Sequence, residues 1–262
     1  LCNLTREKGI DKQGQLCYTI ITMREAKASP IELRRDLITM KNIYCTLDTE
    51  TYGGAAKPKG VYHVGGIIHD RKGNVMACFN YLIAEHFNQI QLDTYAKRNM
   101  ERYALMVSEG IATMIDTEAH AVEMISSLCD FYGVKYVMAF NSGFDFVKTC
   151  CSSLLDGREF IDIWLMALQT VVSRKKYAKF CQEHGLVSRS KKTCATSAEA
   201  VYAYITGNAD YSEEHTALED AKIEMAIFLA CEKCHKAFTK NCHTFDYEGR
   251  FNLFPKWMGV GA

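Results

Sequence analysis

Asp48 and Glu50 lie two residues apart in NIYCTLDTETY (42–52), a stretch rich in β-branched and aromatic residues that reads as a strand. Strand side chains alternate between faces, so both carboxylates project to one side while Ile43, Cys45 and Leu47 project to the other. Two acids on one face are costly to bury without a counter-charge. A hard divalent cation such as Mg²⁺ relieves that cost, because it takes oxygen ligands and keeps positions for water and phosphate. The competing explanation is a pair of solvated acids at a strand end, and the D-x-E spacing alone does not separate the two. The chain carries its own control. Asp116-Thr117-Glu118 repeats the tripeptide, but it opens a helix, where Asp suits the N-cap and Glu the first turn, and it is assigned no chemistry.

Two further segments offer acids or a proton carrier. In Phe140-Asn141-Ser142-Gly143-Phe144-Asp145-Phe146 a strand ends, a glycine-containing turn follows, and Asp145 is presented at the start of a helix expected over 144–155. Loops at strand ends are favoured places for sites in α/β sheets, and simple helix capping explains Asp145 equally well. In His215-Thr216-Ala217-Leu218-Glu219-Asp220-Ala221, Thr216 and Glu219 have capping-box spacing, so a helix should start just after Thr216. His215 then sits in the preceding loop, with Asp220 inside the helix. Within regular helix their side chains would point about 140° apart, whereas with His215 outside it both can face one site.

Taken in order, DTETYGG, FNSGFD and HTALEDA resemble the three motifs of the DEDDh, or DnaQ-like, 3′–5′ exonucleases, over roughly residues 40–235. The five-residue His–Asp spacing favours this branch over the sister branch with a Tyr four residues before the last Asp, since position 216 is Thr. The resemblance implies a ribonuclease H-like fold. It also implies that Asp48, Glu50, Asp145 and Asp220 hold two divalent cations, Mg²⁺ or Mn²⁺, with His215 as general base. The substrate implied is the 3′ end of single-stranded nucleic acid, DNA in the preferred reading, held by phosphate contacts and stacking rather than base readout. Thr49, Thr51 and neighbouring backbone would touch the terminal nucleotide, and Asn141 would orient the second motif. Many relatives have Thr where this chain has Tyr52, which bears on contacts to the terminal nucleotide and not on the metal site. Asp162 resembles a family Asp and is expected to be structural. The wording is similar to that of phage-encoded members. An exoribonuclease or oligoribonuclease would use the same chemistry and differ in contacts to the 2′-OH. An inactive nucleic-acid-binding module on the same fold is the non-enzymatic alternative, and it would be expected to have lost ligands that this chain keeps. The motifs do not say whether a polymerase or other replication protein is a partner.

The elements that must position these residues can be read coarsely. Strands are expected over 42–52, 61–69 and 75–83, the last two joined by the hairpin sequence DRKGN (70–74). Residues 85–110 read as helix and loop. A helix follows over 116–132, where Ala119, Val122, Ile125, Leu128 and Tyr132 recur at helical spacing, then a strand at 136–140 and a strand running into a helix at 159–164. Helices are expected around 174–184 and 197–206 and from Ala217 to Cys234. Three antiparallel strands followed by alternating helix and strand give an α/β domain, a mixed sheet flanked by helices.

The chain has 262 residues with 31 basic and 31 acidic side chains, so no bulk basic surface for coating long duplexes is present. Arg174, Lys175, Lys176, Arg189, Lys191 and Lys192 either flank strand entry or form a solvated face, the latter favoured. No apolar run reaches the roughly 20 residues that span a bilayer, so no membrane association is expected. The N-terminus lacks the apolar core of a secretory signal, and the 12 cysteines read as reduced thiols, which points to the cytoplasm, or the host cytoplasm for a phage-encoded chain. MKNIYCTLDTE from Met40 reads as a natural start, making residues 1–39 an extension outside the catalytic fold, with a short helix in ASPIELRRDL. Residues 236–262 read as a tail packing on the domain. Cys231-Glu232-Lys233-Cys234-His235 matches a haem-attachment pattern, which the absence of an export signal argues against. Cys231, Cys234, His235, Cys242 and His243 have zinc-ligand types without the spacing of a recognised finger.

Overall fold

Alternation along the first motif strand sets the architecture. Tyr44 meets Phe228 on one side of the sheet, ring centroids 5.0 Å apart, while the next residue, Cys45, puts its thiol against Cys129 on the other. Both faces are therefore covered, which is why IYCTL is buried without interruption from Ile43 to Leu47. The protein is seen as a computed structural model that describes residues 8–10, 16–18, 42–53, 58–87, 99–187 and 193–232. The chain divides into two units, Leu1–Lys41 and Asn42–Ala262. The first contains an antiparallel pair, β1 (Lys8–Ile10) and β2 (Leu16–Tyr18).

The second unit opens with β3 (Ile43–Tyr52), β4 (Gly60–Asp70) and β5 (Val75–Ile83). These run antiparallel, with Asp48 opposite Gly65 and Glu50 opposite His63. The β4–β5 hairpin is closed by Asp70, whose Oδ1 accepts from the backbone N–H groups of Lys72 at 2.8 Å and Asn74 at 2.9 Å. Then follow α1 (Ala84–Phe87), α2 (Met100–Ser108), β6 (Thr113–Ile115), α3 (Glu118–Tyr132), β7 (Val134–Ala139), β8 (Glu159–Asp162), α4 (Ile163–Gln169), α5 (Lys175–Glu183), α6 (Ala198–Thr206) and α7 (Ala217–Glu232). The six strands of the sheet lie in the order β6-β5-β4-β3-β7-β8, and β6, β7 and β8 join their neighbours in parallel. This is the flanked mixed sheet expected from the sequence. No helix of the described residues is long and apolar enough to cross a membrane.

Four local expectations are corrected. The α-helix expected over 144–155 is replaced by turns over 140–147 and a 3₁₀ helix at Cys150–Leu155. Thr149 is the reason: its backbone is extended, its hydroxyl donates to the Asp145 carbonyl, and its oxygen caps the 3₁₀ segment at Cys151 N–H. The helix-capping box at Thr216 and Glu219 does not form. Thr216 Oγ1 is buried with no hydrogen bond among the described residues, and Glu219 turns to Lys222 Nζ at 2.5 Å. Thr117 rather than Asp116 caps α3, accepting from His120 N–H. The short edge strand β6 was not anticipated, because three residues, TMI, carry no readable period. The expected ASPIELRRDL helix, Arg189, Lys191, Lys192, the 236–262 tail and all of the Cys/His cluster except Cys231–Glu232 lie outside the described residues. Cys231 is buried within α7.

The approach of α7 to the sheet depends on one glycine. A Cβ at Gly65 would sit 2.2 Å from the Leu218 backbone nitrogen, so the first turn of α7 rests directly on β4. Gly65→Ala is therefore expected to lower stability by about 1–3 kcal/mol, the cost typical of overpacking, as measured by urea unfolding. Unchanged stability would mean that the helix does not rest on β4 there.

Candidate active site

β3 and the first turn of α7 bring three of the sequence-selected acids together. The helix start is fixed by His63, fully buried on β4, whose Nδ1 accepts from Ala217 N–H at 3.4 Å. Its Nε2 faces Asn80 Oδ1 at 2.6 Å, and burial pulls its pKa down to about 4, so the ring is neutral and Nε2 carries the donated proton. Asp220, one turn into α7, then lies beside the two strand acids. Carboxylate oxygens of Asp48, Glu50 and Asp220 all fall within 4.8 Å of one another.

Asp145 joins from beyond the C-terminal end of the parallel neighbour β7. β7 pairs with β3 only as far as Thr46, and beyond it the 140–147 turn passes beside the exposed flank of β3. Asn141 adopts a left-handed φ of 63°, and its carbonyl accepts from Phe144 N–H at 2.8 Å, which curls the chain back. Asp145 is buried, and Thr49 Oγ1 donates to its Oδ1 at 2.6 Å. The Thr49 hydroxyl is thus committed to orienting Asp145. Thr51 is half-buried beyond the β-bulge that follows Glu50. Asp162 caps α4 through Leu165 N–H at 3.1 Å.

His215 stands apart from the carboxylate trio. It lies in the loop before α7 with a left-handed φ of 53°, its side chain 47% exposed and its Nδ1 3.9 Å from Glu213 Oε2. The loop is pinned by the start of α2: Asn99 Nδ2 donates to His215 O at 3.0 Å, and Arg102 pairs with Glu214. Non-glycine residues with left-handed backbone are uncommon and gather at functional sites. Two of the three among the described residues, Asn141 and His215, border this one.

A cavity of about 450 Å³ opens on Asp48 and Asp220, walled by Phe140, Trp164, Ser197 and two acids that the motifs did not include, Glu213 and Glu224. Glu224 was findable, since it follows Asp220 by one helical turn and must share its face. Glu213 carried no local signal. No lysine or arginine is ion-paired with any of these acids among the described residues. Burial, then the negative charge of Asp48, pushes Asp220 up to about 9. Burial also pushes Asp145 up to about 7, against the Thr49 hydrogen bond, and raises Glu213 to about 7. Asp48, Glu50 and Glu224 are raised by burial first and by their acidic neighbours second. Asp220 Oδ1 and Glu224 Oε2 are buried without a hydrogen-bond partner among the described residues. Oxygens orphaned in this way call for a cation or water.

A second acidic group shows the contrast. Glu85 and Glu118 flank His86, whose Nε2 lies 3.4 Å and 3.1 Å from them. Their oxygens also accept backbone N–H groups, Glu85 from Glu118 and Glu118 from Val61. That group is compensated from within and ties α1, α3 and β4 together, whereas the Asp48 group is not compensated. The donor set at Asp48, Glu50 and Asp220 is all-oxygen and anionic, which suits Mg²⁺ or Mn²⁺.

No protein-family model and no curated protein matches the chain. Among solved structures it is similar to a full-length 3′-exonuclease at 16% identity, over 75% of this chain and 84% of that one, with a TM-score of 0.47. It is similar to E. coli Exonuclease I in complex with an oligonucleotide at 14% identity, over 74% of this chain and 42% of that one, with a TM-score of 0.44. A further likeness is to cell-death related nuclease 4, at 13% identity over 75% of this chain and 65% of that one, with a TM-score of 0.46. The chain thus spans less than half of Exonuclease I. Likeness this distant does not assign an activity, which has to come from the side chains.

The raised carboxyl pKa values fix the sign of a metal effect. In the unfolded chain these groups lose their protons near pH ~4, whereas in the metal-free fold Asp145 and Asp220 keep theirs to about 7 and 9. Their contribution to metal-free stability is full below pH ~4 and is lost as pH rises through the folded values. A bound cation replaces those protons, so the rise in Tm on adding Mn²⁺ to EDTA-treated protein is expected to be small at pH 5 and larger at pH 8. An equal rise at both would mean that these carboxyls do not bind the ion.

Proposed function

We propose that this chain is a metal-dependent 3′–5′ exonuclease that hydrolyses the terminal phosphodiester of single-stranded nucleic acid, DNA in the first instance. What carries the reading is the gathering of Asp48, Glu50 and Asp220 within 4.8 Å, with no lysine or arginine ion-paired to them among the described residues, from segments about 170 residues apart in sequence. Asp145 stands beside them through Thr49.

Asp48, Glu50, Asp145 and Asp220 would hold two divalent cations. When bound, these supply Lewis acidity to the attacking water and balance the charge that develops on the phosphate and the leaving 3′ oxygen. The protein's own part is positional and protonic. Thr49 fixes the Asp145 carboxylate, His63 and Gly65 fix the helix that carries Asp220, and the β3 pleat fixes Asp48 and Glu50 on one face. His215 accepts the proton of the attacking water at an imidazole nitrogen. Its side chain is 47% exposed at the edge of the cluster, and catalytic hydrogen bonds commonly tighten only when substrate is present. Phe140 and Trp164 on the cavity wall offer apolar and aromatic surface for a base, Asn141 lines the same cavity, and Thr51 would contact the terminal nucleotide from β3. A site built on phosphate and stacking contacts accepts any base, as an exonuclease requires.

The test is digestion of end-labelled single-stranded DNA and RNA of equal sequence with Mg²⁺ or Mn²⁺, with EDTA, and with Asp48→Ala. Laddering from the 3′ end is expected, abolished by EDTA and by the substitution, and its rate on the two polymers reads the sugar preference. Folded protein that cleaves neither polymer would overturn the proposal and favour a binding module. His215→Ala is expected to retain Mn²⁺ binding while its cleavage rate falls about 10²–10⁴-fold, measured in single-turnover reactions. An unchanged rate would remove His215 from the mechanism.

A further inference from the structure

We infer that Glu224 is a positioning carboxylate of the cation site, holding water bound to the ion beside Asp48 and Asp220. This rests on the metal-site reading above. Glu224 is only 4% exposed yet borders the cavity together with Asp48, Glu213 and Asp220. It follows Asp220 by four residues on α7, so the two carboxylates leave the same helix face one above the other.

Its two oxygens are used differently. The carboxylate accepts from the Phe140 backbone N–H, which ties α7 to the end of β7 just before the turn that carries Asp145. Oε2 is buried and has no hydrogen-bond partner among the described residues. A carboxylate placed there only to fix Phe140 would not need a second buried, unpaired oxygen, since an amide or hydroxyl would fix the N–H without concentrating negative charge. The negative groups acting on it most strongly are Asp48 and Asp145, the pair with most to gain from a shared counter-charge. Oε2 lies outside the tight group formed by Asp48, Glu50 and Asp220, so it suits the hydration shell rather than direct ligation. Mg²⁺ keeps several waters, and hydrogen bonds to such waters orient the ion's remaining positions.

Glu224→Gln separates the two uses, because the amide oxygen can still accept from Phe140 N–H while the charge is lost. Mn²⁺ binding is read by electron paramagnetic resonance on wild type, Glu224→Gln and Asp48→Ala, alongside Tm in EDTA. Glu224→Gln is expected to weaken Mn²⁺ binding about 10–100-fold, the range found when an outer partner of a metal site is removed. Its metal-free Tm should be unchanged or raised, because a buried carboxyl that must keep its proton in the absence of metal is replaced by a neutral amide. Wild-type affinity in Glu224→Gln, with binding lost in Asp48→Ala, would overturn the role of Glu224 alone. Absence of Mn²⁺ binding by the wild type would overturn the metal-site reading itself.

Discussion

Carboxylates gathered in a half-buried cleft repel one another and lose hydration together, and the rest of this structure is arranged around that cost. Nothing in ordinary packing rewards placing Asp48, Glu50 and Asp220 within 4.8 Å, with Asp145 and Glu213 close enough to raise the pKa values of Asp48 and Glu50. Without a counter-charge the cluster must keep protons that free carboxyls release. The chain nevertheless spends specific features on holding it. Gly65 gives up a side chain so that α7 can rest on β4, and His63 stays neutral so that it can accept from Ala217. Thr49 gives its hydroxyl to Asp145. A polar group kept at such cost is more economically read as a cation site than as a stability device.

Sheet topology explains why the acids converge where they do. β3 outlasts its parallel partner β7, leaving one flank open beyond Thr46, and the turn after β7 fills that flank. The last helix crosses the same sheet face with its N-terminus at the level of Asp48 and Glu50, opposite Gly65 and His63. Residues from three distant segments thus meet at strand ends, where α/β sheets place their sites. The His86 group, built from similar residue types, shows what internal compensation looks like and serves as the structural comparison.

Much of this was legible in the sequence, for physical reasons that differ from element to element. The strands β3, β4 and β5 and the helices α3 and α7 announce themselves through period and turn chemistry, because each covers one side of the core and closes on a recognisable turn or cap. Asp48 and Glu50 share a face by pleat arithmetic alone. The turn around Asp145 was misread as helix because Phe144–Leu155 has helix-compatible composition, while the extended backbone at Thr149 separates the turns from the 3₁₀ segment. At the start of α7 the N–H of Ala217 is taken from 154 positions away by His63, while the Thr216 hydroxyl finds no partner among the described residues. Such long-range substitutions leave no trace in local spacing. Glu213 belongs to the same class, whereas Glu224 was one helical turn from a residue already chosen.

The central claim is that the Asp48 cluster is built for divalent cations, and crystals grown with Mn²⁺ test it most directly through anomalous scattering. The account expects a peak between Asp48, Glu50 and Asp220, lost in crystals of Asp48→Ala that keep the same fold. Wild-type crystals with no manganese at those carboxylates, or with a basic side chain folded in to neutralise them, would contradict it.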